Sequence, residues 1–325
     1  MAIEPADSVV DDRDQRLIAA LQCDGRLTAE RAGEVLGTSP RTVHRRWQAL
    51  IADGVCRVIA LPARPDSVGA LFLRIRVIGS KLDALTAALA ARPDVPFIDV
   101  SASGDEILAV RWTRPGTRDD LVFRELPATR AVTSVAADTV LHVFAEALDW
   151  RHDVLSAAER AALTPPRRPG AATAGPLDDI DRDILAALED DARAAAAAVA
   201  ARTGHPESTV RRRIARLTGT GRLLTHVVVD PKRLGLLIDA NVMVRVAPDR
   251  LDEVGRTLAA HPAVHGAFAT TGAANLHLAI WVRDLEHLYR FITRDLGRLG
   301  VDGAETVIVG HAVKRPGKGP GGRAG

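Results

Sequence analysis

Aromatic residues make up only 3% of this 325-residue chain. That argues against a protein that stacks on single-stranded bases. Two cysteines, Cys23 and Cys56, cannot form a disulfide framework, and no CxxC or Cys/His spacing offers a zinc site. A reducing compartment fits, and both thiols read as packing residues. No window approaches ~18 uninterrupted apolar residues, so no membrane span is expected. The acidic N-terminus, MAIEPADSVVDDRDQR, lacks the basic and apolar regions of a signal peptide. Net charge is only +2, so any basic surface has to be local. His261, His265, His277, His287 and His311 fit no metal-binding spacing. Asp105 and Glu106 are neighbours on a strand and face opposite sides, which excludes a catalytic carboxylate pair. No catalytic residue, cofactor or metal is expected, and the chain does not read as an enzyme.

What is present is a repeat. TVHRRWQALIADG (42–54) and TVRRRIARLTGTG (209–221) share the frame T-V-x-R-R-x-x-x-L-x-x-x-G. DRDQRLIAALQCDGR (12–26) aligns without a gap with DIDRDILAALEDDAR (179–193), and the order of elements persists beyond. With 47% hydrophobic and 26% charged residues the chain reads as folded, a duplication of a unit of about 150 residues.

Each unit divides in two. Its first part carries apolar residues at helical spacing behind a capping aspartate, Leu17, Ile18 and Leu21 matched by Ile184, Leu185 and Leu188. Two further short helices, joined by a turn containing Gly37 or Gly204, complete a helix-turn-helix pattern. The second part reads β-α-β-β-α-β, the ferredoxin-like order. The expected class is α+β. Two winged or three-helix helix-turn-helix domains (9–58 and 177–226) alternate with two ferredoxin-like domains (66–146 and 233–314). Residues 155–176 read as a linker, first weakly helical and then rich in Pro, Gly and Ala. Residues 315–325 read as a disordered basic tail.

On the third helix, Val43, Trp47 and Leu50 form an inward stripe, as do Val210, Ile214 and Leu217. Arg41, His44, Arg45 and Gln48 then point outward with Arg46 on the flank, and no acid occurs from Ser39 to Leu50. In the second copy Ser208, Arg211, Arg212 and Ala215 point outward, with Arg213 flanking. Such a face suits the major groove, where Arg pairs bidentately with guanine and other donors seat phosphates. The expected DNA contacts are Ser39, Pro40, Arg41, Thr42, His44, Arg45, Arg46 and Gln48, and secondarily Ser208, Thr209, Arg211, Arg212 and Arg213. The second copy is weaker by sequence. Its middle helix, AAAAAVAARTG, is nearly featureless, and Glu207 adds a negative charge at the DNA-facing end.

These residues carry a resemblance. LDDIDRDILAALEDDAR (177–193) and GTSPRTVHRRWQALIADG (37–54) are similar to the opening helix and recognition segment of the Lrp/AsnC family of transcriptional regulators. The ferredoxin-like parts resemble that family's amino-acid-sensing RAM domain. The resemblance implies double-stranded DNA as partner and a small effector such as an amino acid. It also implies self-association through the sensor domains, and action in the cytoplasm at the nucleoid. By family analogy the effector residues are Ser103, Gly104, Asp105 and Glu106, and Thr271, Gly272, Ala273 and Asn275. Each set lies on the turn between the middle strands, where an ordinary hairpin turn is an equally good reading. Departures include the tandem form itself, Gly33 inside the second helix at a cost of about 1 kcal/mol, and Pro206 with Glu207 near the second recognition helix. A tandem chain can pair its own sensor domains as an internal pseudo-dimer. Two rival readings are a sirohaem-decarboxylase-like enzyme, which also resembles this family, and a ligand-sensing scaffold without DNA binding.

Overall fold

The computed structural model describes residues 9–62, 69–114, 119–147, 150–165 and 177–315. The first copy runs α1 (Asp12–Cys23), α2 (Ala29–Leu36), α3 (Pro40–Ala52), β1 (Cys56–Pro62), β2 (Gly69–Val77), α4 (Leu82–Ala90), β3 (Phe97–Ser101) and β4 (Glu106–Thr113). A π-helical turn, Leu121–Glu125, leads into the short α5 (Leu126–Ala128) and then β5 (Val132–Ala145). After α6 (Ala157–Leu163) the pattern repeats: α7 (Asp179–Leu188), α8 (Ala196–Thr203), α9 (Glu207–Gly219), β6 (Leu223–Val229), β7 (Ile238–Arg245), α10 (Leu251–Ala259), β8 (Val264–Thr270), β9 (Leu276–Val282), α11 (Leu285–Arg290) and β10 (Gly303–Lys314). No described helix is long and apolar enough to cross a membrane.

These elements sort into two compact units, each drawing on both copies. One holds the six helix-turn-helix helices with α6, β1 and β6. The other holds the remaining strands and their helices.

In the helical unit, local chemistry sets the helix ends. The Asp11 carboxylate accepts from Asp14 N at 2.8 Å, and the Thr28 and Ser39 hydroxyls cap α2 and α3. Asp178 caps α7 in the same way, but Ala195 and Pro206 give α8 and α9 no side-chain cap. Trp47 and Leu50 of α3 are buried, as are Leu17, Ile18 and Leu21 of α1, and the Trp47 indole donates to Leu17 O at 3.1 Å. Gly33, an apparent weakness in α2, is required by packing. A Cβ there would lie 2.4 Å from Thr38 O, on the turn into α3.

The two heads are stapled together. β1 and β6 pair antiparallel from Cys56↔Val229 to Pro62↔Leu223, so each head's strand finds its partner in the other copy. Arg26 donates to Ala192 O, and Arg193 returns the contact to Gly25 O at 2.7 Å and Leu27 O at 3.1 Å. The Arg193 guanidinium also lies over Trp47, 4.9 Å from the ring centroid. Burial pushes the Cys56 thiol up to about 12, which suits a packing residue and not a nucleophile.

In the other unit, the two ferredoxin-like halves merge. Their strands close in the order β10-β3-β4-β2-β5-β8-β9-β7, with β7 returning to β10. Two long strands make this possible. β5 pairs with β2 of its own half through Thr139 and with β8 of the other half from Val140 onward. β10 does likewise, pairing with β7 through Ile308 and with β3 from Val309. Closure leaves neither half an open strand edge. The sensor halves thus pair within one chain.

Alternation divides each strand between two surfaces. Val242, Val244, Leu278 and Ile280 pack under Val254, Leu258, Leu288 and Phe291. Leu73, Ile75, Ile98 and Ile107 pack under Leu82, Leu89, Leu121 and Leu126. The intervening residues face the barrel interior and include a polar group. Arg315 donates to Asp99 and Asp239, each at 2.7 Å. His265 stacks on Trp281 at 3.8 Å between centroids, and His277 Nε2 lies 2.9 Å from Asn241 Oδ1. Arg315, which the sequence places at the start of a disordered tail, is instead an ion-pair residue of the barrel; residues 316–325 lie outside those described. The described start of the expected linker is likewise ordered. Ser156 and Glu159 form a capping box on α6, and Arg16 bonds Glu159.

The buried histidines predict an acid-labile barrel. Burial, with the charges of Arg74 and His265, drives the His277 pKa down to about 3, and burial lowers His265 as well. An unfolded histidine takes up its proton near pH 6.5, so below that value the unfolded chain binds more protons than the folded one. Stability therefore falls as pH drops from about 6.5 toward 3. His277→Gln, which keeps a partner for Asn241, is expected to remove part of that loss, on the order of 3 kcal/mol at pH 4. Denaturation followed by tryptophan fluorescence at pH 7, 5 and 4 measures it; an unaltered slope in the variant counts against this assignment.

Candidate nucleic-acid interface

The inward stripe fixes what α3 presents. With Val43, Trp47 and Leu50 buried, Arg41, His44, Arg45 and Gln48 are exposed along one face. None of the four has a side-chain ion-pair partner among the described residues. Ser39, Pro40 and Thr42 open the helix, where the Ser39 hydroxyl accepts from Thr42 N and lies 2.9 Å from the Thr42 hydroxyl. On α9 the corresponding exposed set is Ser208, Arg211, Arg212 and Ala215, with Thr209 half-buried.

The flanking arginines have partners within their own heads. Arg46 bonds Asp11 at 3.0 Å and Asp14 at 2.7 Å, and its equivalent Arg213 bonds Asp178 at 2.6 Å and Asp181 at 3.1 Å. The Asp14 backbone N–H and Arg46 together hold the Asp11 carboxyl below its usual range. The second arginine of each R-R pair therefore clamps the recognition helix to the N-terminus of the first helix. The first arginine of each pair, Arg45 or Arg212, has no ion-pair partner among the described residues. Glu207 bonds Arg211, and Asp181 also takes Arg216, so most of the charge on α9 is neutralised within its own head.

This assignment predicts separable effects. Arg46→Ala is expected to lower the stability of the helical unit by up to about 1 kcal/mol, the range of partly exposed pairs. Arg45→Ala is expected to leave it within about 0.5 kcal/mol of the parent, as for surface substitutions generally. Chemical denaturation of the two variants, read at Trp47, decides it; equal losses count against the clamp.

The two expected effector turns dock on the long strands of the opposite half. Ala102 N donates to Ile308 O at 2.8 Å, and Thr271 N donates to Thr139 O at 2.9 Å. In the first turn, Ser103 donates to Asp105 at 2.5 Å, and this bond helps hold the exposed carboxyl low. Glu106 is spent otherwise. It is buried beneath Arg74, accepting at 2.8 and 3.2 Å, and Arg74 also grips Glu305 of the other half at 2.7 Å. In the second turn, the Asn275 amide clamps Val246, donating to its O at 2.8 Å and accepting from its N at 2.9 Å. Glu106 and Asn275 are thus bound up in structure. Gly272, at φ +100°, holds a backbone conformation that strains any side chain, and a Cβ there would also fall 2.2 Å from an Asp138 carboxylate oxygen, which would have to move. Gly104, Ser103, Asp105, Thr271 and Ala273 remain on the two turns, one turn per half.

Sequence reasoning missed the Asp11, Asp14 and Asp178 clamps and the paired Arg26 and Arg193. Acids before a helix read as caps, and nothing local marks them as partners of a helix some thirty residues on.

Residues 10–51 and 177–218 match the AsnC-type helix-turn-helix domain, and residues 239–318 match the Lrp/AsnC ligand binding domain. An HTH-type transcriptional regulator of Pyrococcus horikoshii is 34% identical over 140 residues, covering 42% of this chain and 89% of that protein. The HTH-type transcriptional regulator AldR of Mycolicibacterium smegmatis is 31% identical over 160 residues, covering 46% of this chain and 93% of that protein. Among solved structures, the siroheme decarboxylase NirDL is similar with a TM-score of 0.57 at 14% identity, covering 94% of this chain and 93% of that one. That likeness is one of fold, and it spans both copies.

Proposed function

The chain belongs to the Lrp/AsnC family, and on that footing we propose that it is a sequence-specific transcriptional regulator binding double-stranded DNA through α3 and α9. The observation that carries this reading is the outward face of α3. Arg41, His44, Arg45 and Gln48 are exposed, without an ion-pair partner among the described residues and without an acid on the helix, while the opposite stripe anchors it. Guanidinium and amide groups so placed can pair with base edges in the major groove, and neighbouring hydroxyls can seat phosphates. Affinity falls steeply with salt, because phosphate contacts release counterions.

A small effector, an amino acid by analogy with the family's sensor domain, binds at the turns carrying Ser103, Gly104 and Asp105 and Thr271, Gly272 and Ala273. Further self-association runs through the sensor unit, and the protein acts in the cytoplasm at the nucleoid. The reading is of a regulator and not an enzyme. The fold shared with a siroheme decarboxylase leaves room for a tetrapyrrole activity, but the chain's one tyrosine, Tyr289, is 67% exposed on α11. An iron tetrapyrrole co-purifying in stoichiometric amount favours the enzyme reading.

The test is recovery of fragmented genomic DNA by the intact chain at moderate salt. Enrichment of a few defined loci supports the regulator, and none above bulk DNA sinks it.

A further inference from the structure

Regulators built from two identical chains present the same recognition helix twice, so their sites are palindromic. Here the two recognition helices belong to one chain and differ at nearly every outward position. His44, Arg45 and Gln48 stand opposite Arg211, Arg212 and Ala215, and Arg41 stands opposite Ser208.

Three observations make the difference functional. The first is free charge. Among the described residues, subtracting internal ion pairs leaves two arginines, Arg41 and Arg45, on the outward face of α3, but only Arg212 on that of α9. Glu207 sits in the first turn of α9 beside Arg211, where a phosphate would approach. The second is hydrogen-bonding capacity. Gln48 can bond an adenine edge bidentately, and Ala215 in its place cannot. The third is how firmly each helix is held. Thr28 and Ser39 cap α2 and α3, and Ala195 and Pro206 leave α8 and α9 without a side-chain cap. Reading bases demands fixed geometry, and phosphate contacts tolerate a looser one.

The heads are not independent. The β1–β6 pairing and the exchanged Arg26 and Arg193 bonds join them in one unit, so both meet the same DNA in a fixed order. We infer that the operator is directional: a base-specified half-site under α3 joined to a sequence-tolerant half-site that α9 holds by its backbone. This inference rests on the DNA-binding reading above. It makes the polarity of the site relative to a promoter part of its information, which a palindrome cannot carry.

The test is selection of random double-stranded DNA by the intact chain, by Arg45→Ala and by Arg212→Ala. Both side chains are exposed, and thermal unfolding checks that each variant is folded. The parent is expected to select a motif whose information lies in one half. Arg45→Ala should erase preference at a base position in that half and weaken binding by about 10- to 100-fold. Arg212→Ala should leave the motif unchanged, weaken all sequences alike, and reduce the salt slope by about one. A palindromic motif with equal information in both halves, or a base preference lost in Arg212→Ala, overturns the directional operator and leaves DNA binding intact. No selection above bulk DNA overturns both.

Discussion

Arg315→Met is expected to destabilise the barrel unit by about 3–5 kcal/mol, the cost of breaking a buried ion pair from one side. Arg315 lies between two carboxylates from opposite halves, Asp99 on β3 and Asp239 on β7, at 2.7 Å from each. Side-chain exposure is 16% for Arg315, 14% for Asp99 and 19% for Asp239, so water screens the group weakly. Burial opposes the arginine's charge, but Asp99 and Asp239 outweigh burial and raise its pKa overall. Burial alone would also raise the Asp239 carboxyl; Arg315 and His265 hold it down to about 2. Methionine in place of Arg315 leaves two like charges facing each other with no cation. Denaturation followed at Trp281 measures the loss, and Asp99→Asn combined with Arg315→Met should recover part of it. A change below 1 kcal/mol in Arg315→Met would mean that the pair does not hold the halves together.

Removing both free arginines of α3, in Arg41→Ala with Arg45→Ala, should weaken binding to the cognate site by about 100-fold or more, taking ~1–3 kcal/mol for each base contact. The fold should survive, since both side chains are exposed and neither belongs to the Val43–Trp47–Leu50 stripe. Titrations at several salt concentrations separate two roles. A lost phosphate contact lowers the slope of log affinity against log salt by ~0.9, and a lost base contact lowers discrimination. Retained affinity and discrimination would move the interface away from α3.

Much of this architecture is legible in the sequence because its signals are local. The apolar spacing of α1 and α7, the V-W-L stripe and the repeated frame state the head fold directly. The alternation of strands and helices states the ferredoxin-like halves. Readings that depend on distant partners are not legible. Arg46 and Arg45 are neighbours of one type, and only the position of Asp11 and Asp14 shows that one is a clamp and the other is free. The long β5 and β10 read as single strands of their own halves, although each spends its second part on the other half. Arg315 borders a stretch rich in Gly and Pro, which hides its pairing with Asp99 and Asp239. Gly33 looks like a flaw in a helix until the carbonyl of Thr38 is seen above it. At the expected effector turns, the glycines mark the bends, but the sequence does not say that Glu106 and Asn275 are taken up by Arg74 and by Val246.

The most direct measurement is the affinity of the intact chain for a recovered genomic fragment and for a scrambled fragment of the same composition, across a range of salt. A sequence-specific regulator should prefer the native fragment by about 10³-fold or more, with both affinities falling steeply as salt rises. Equal affinity for the two fragments at every salt concentration would contradict the account.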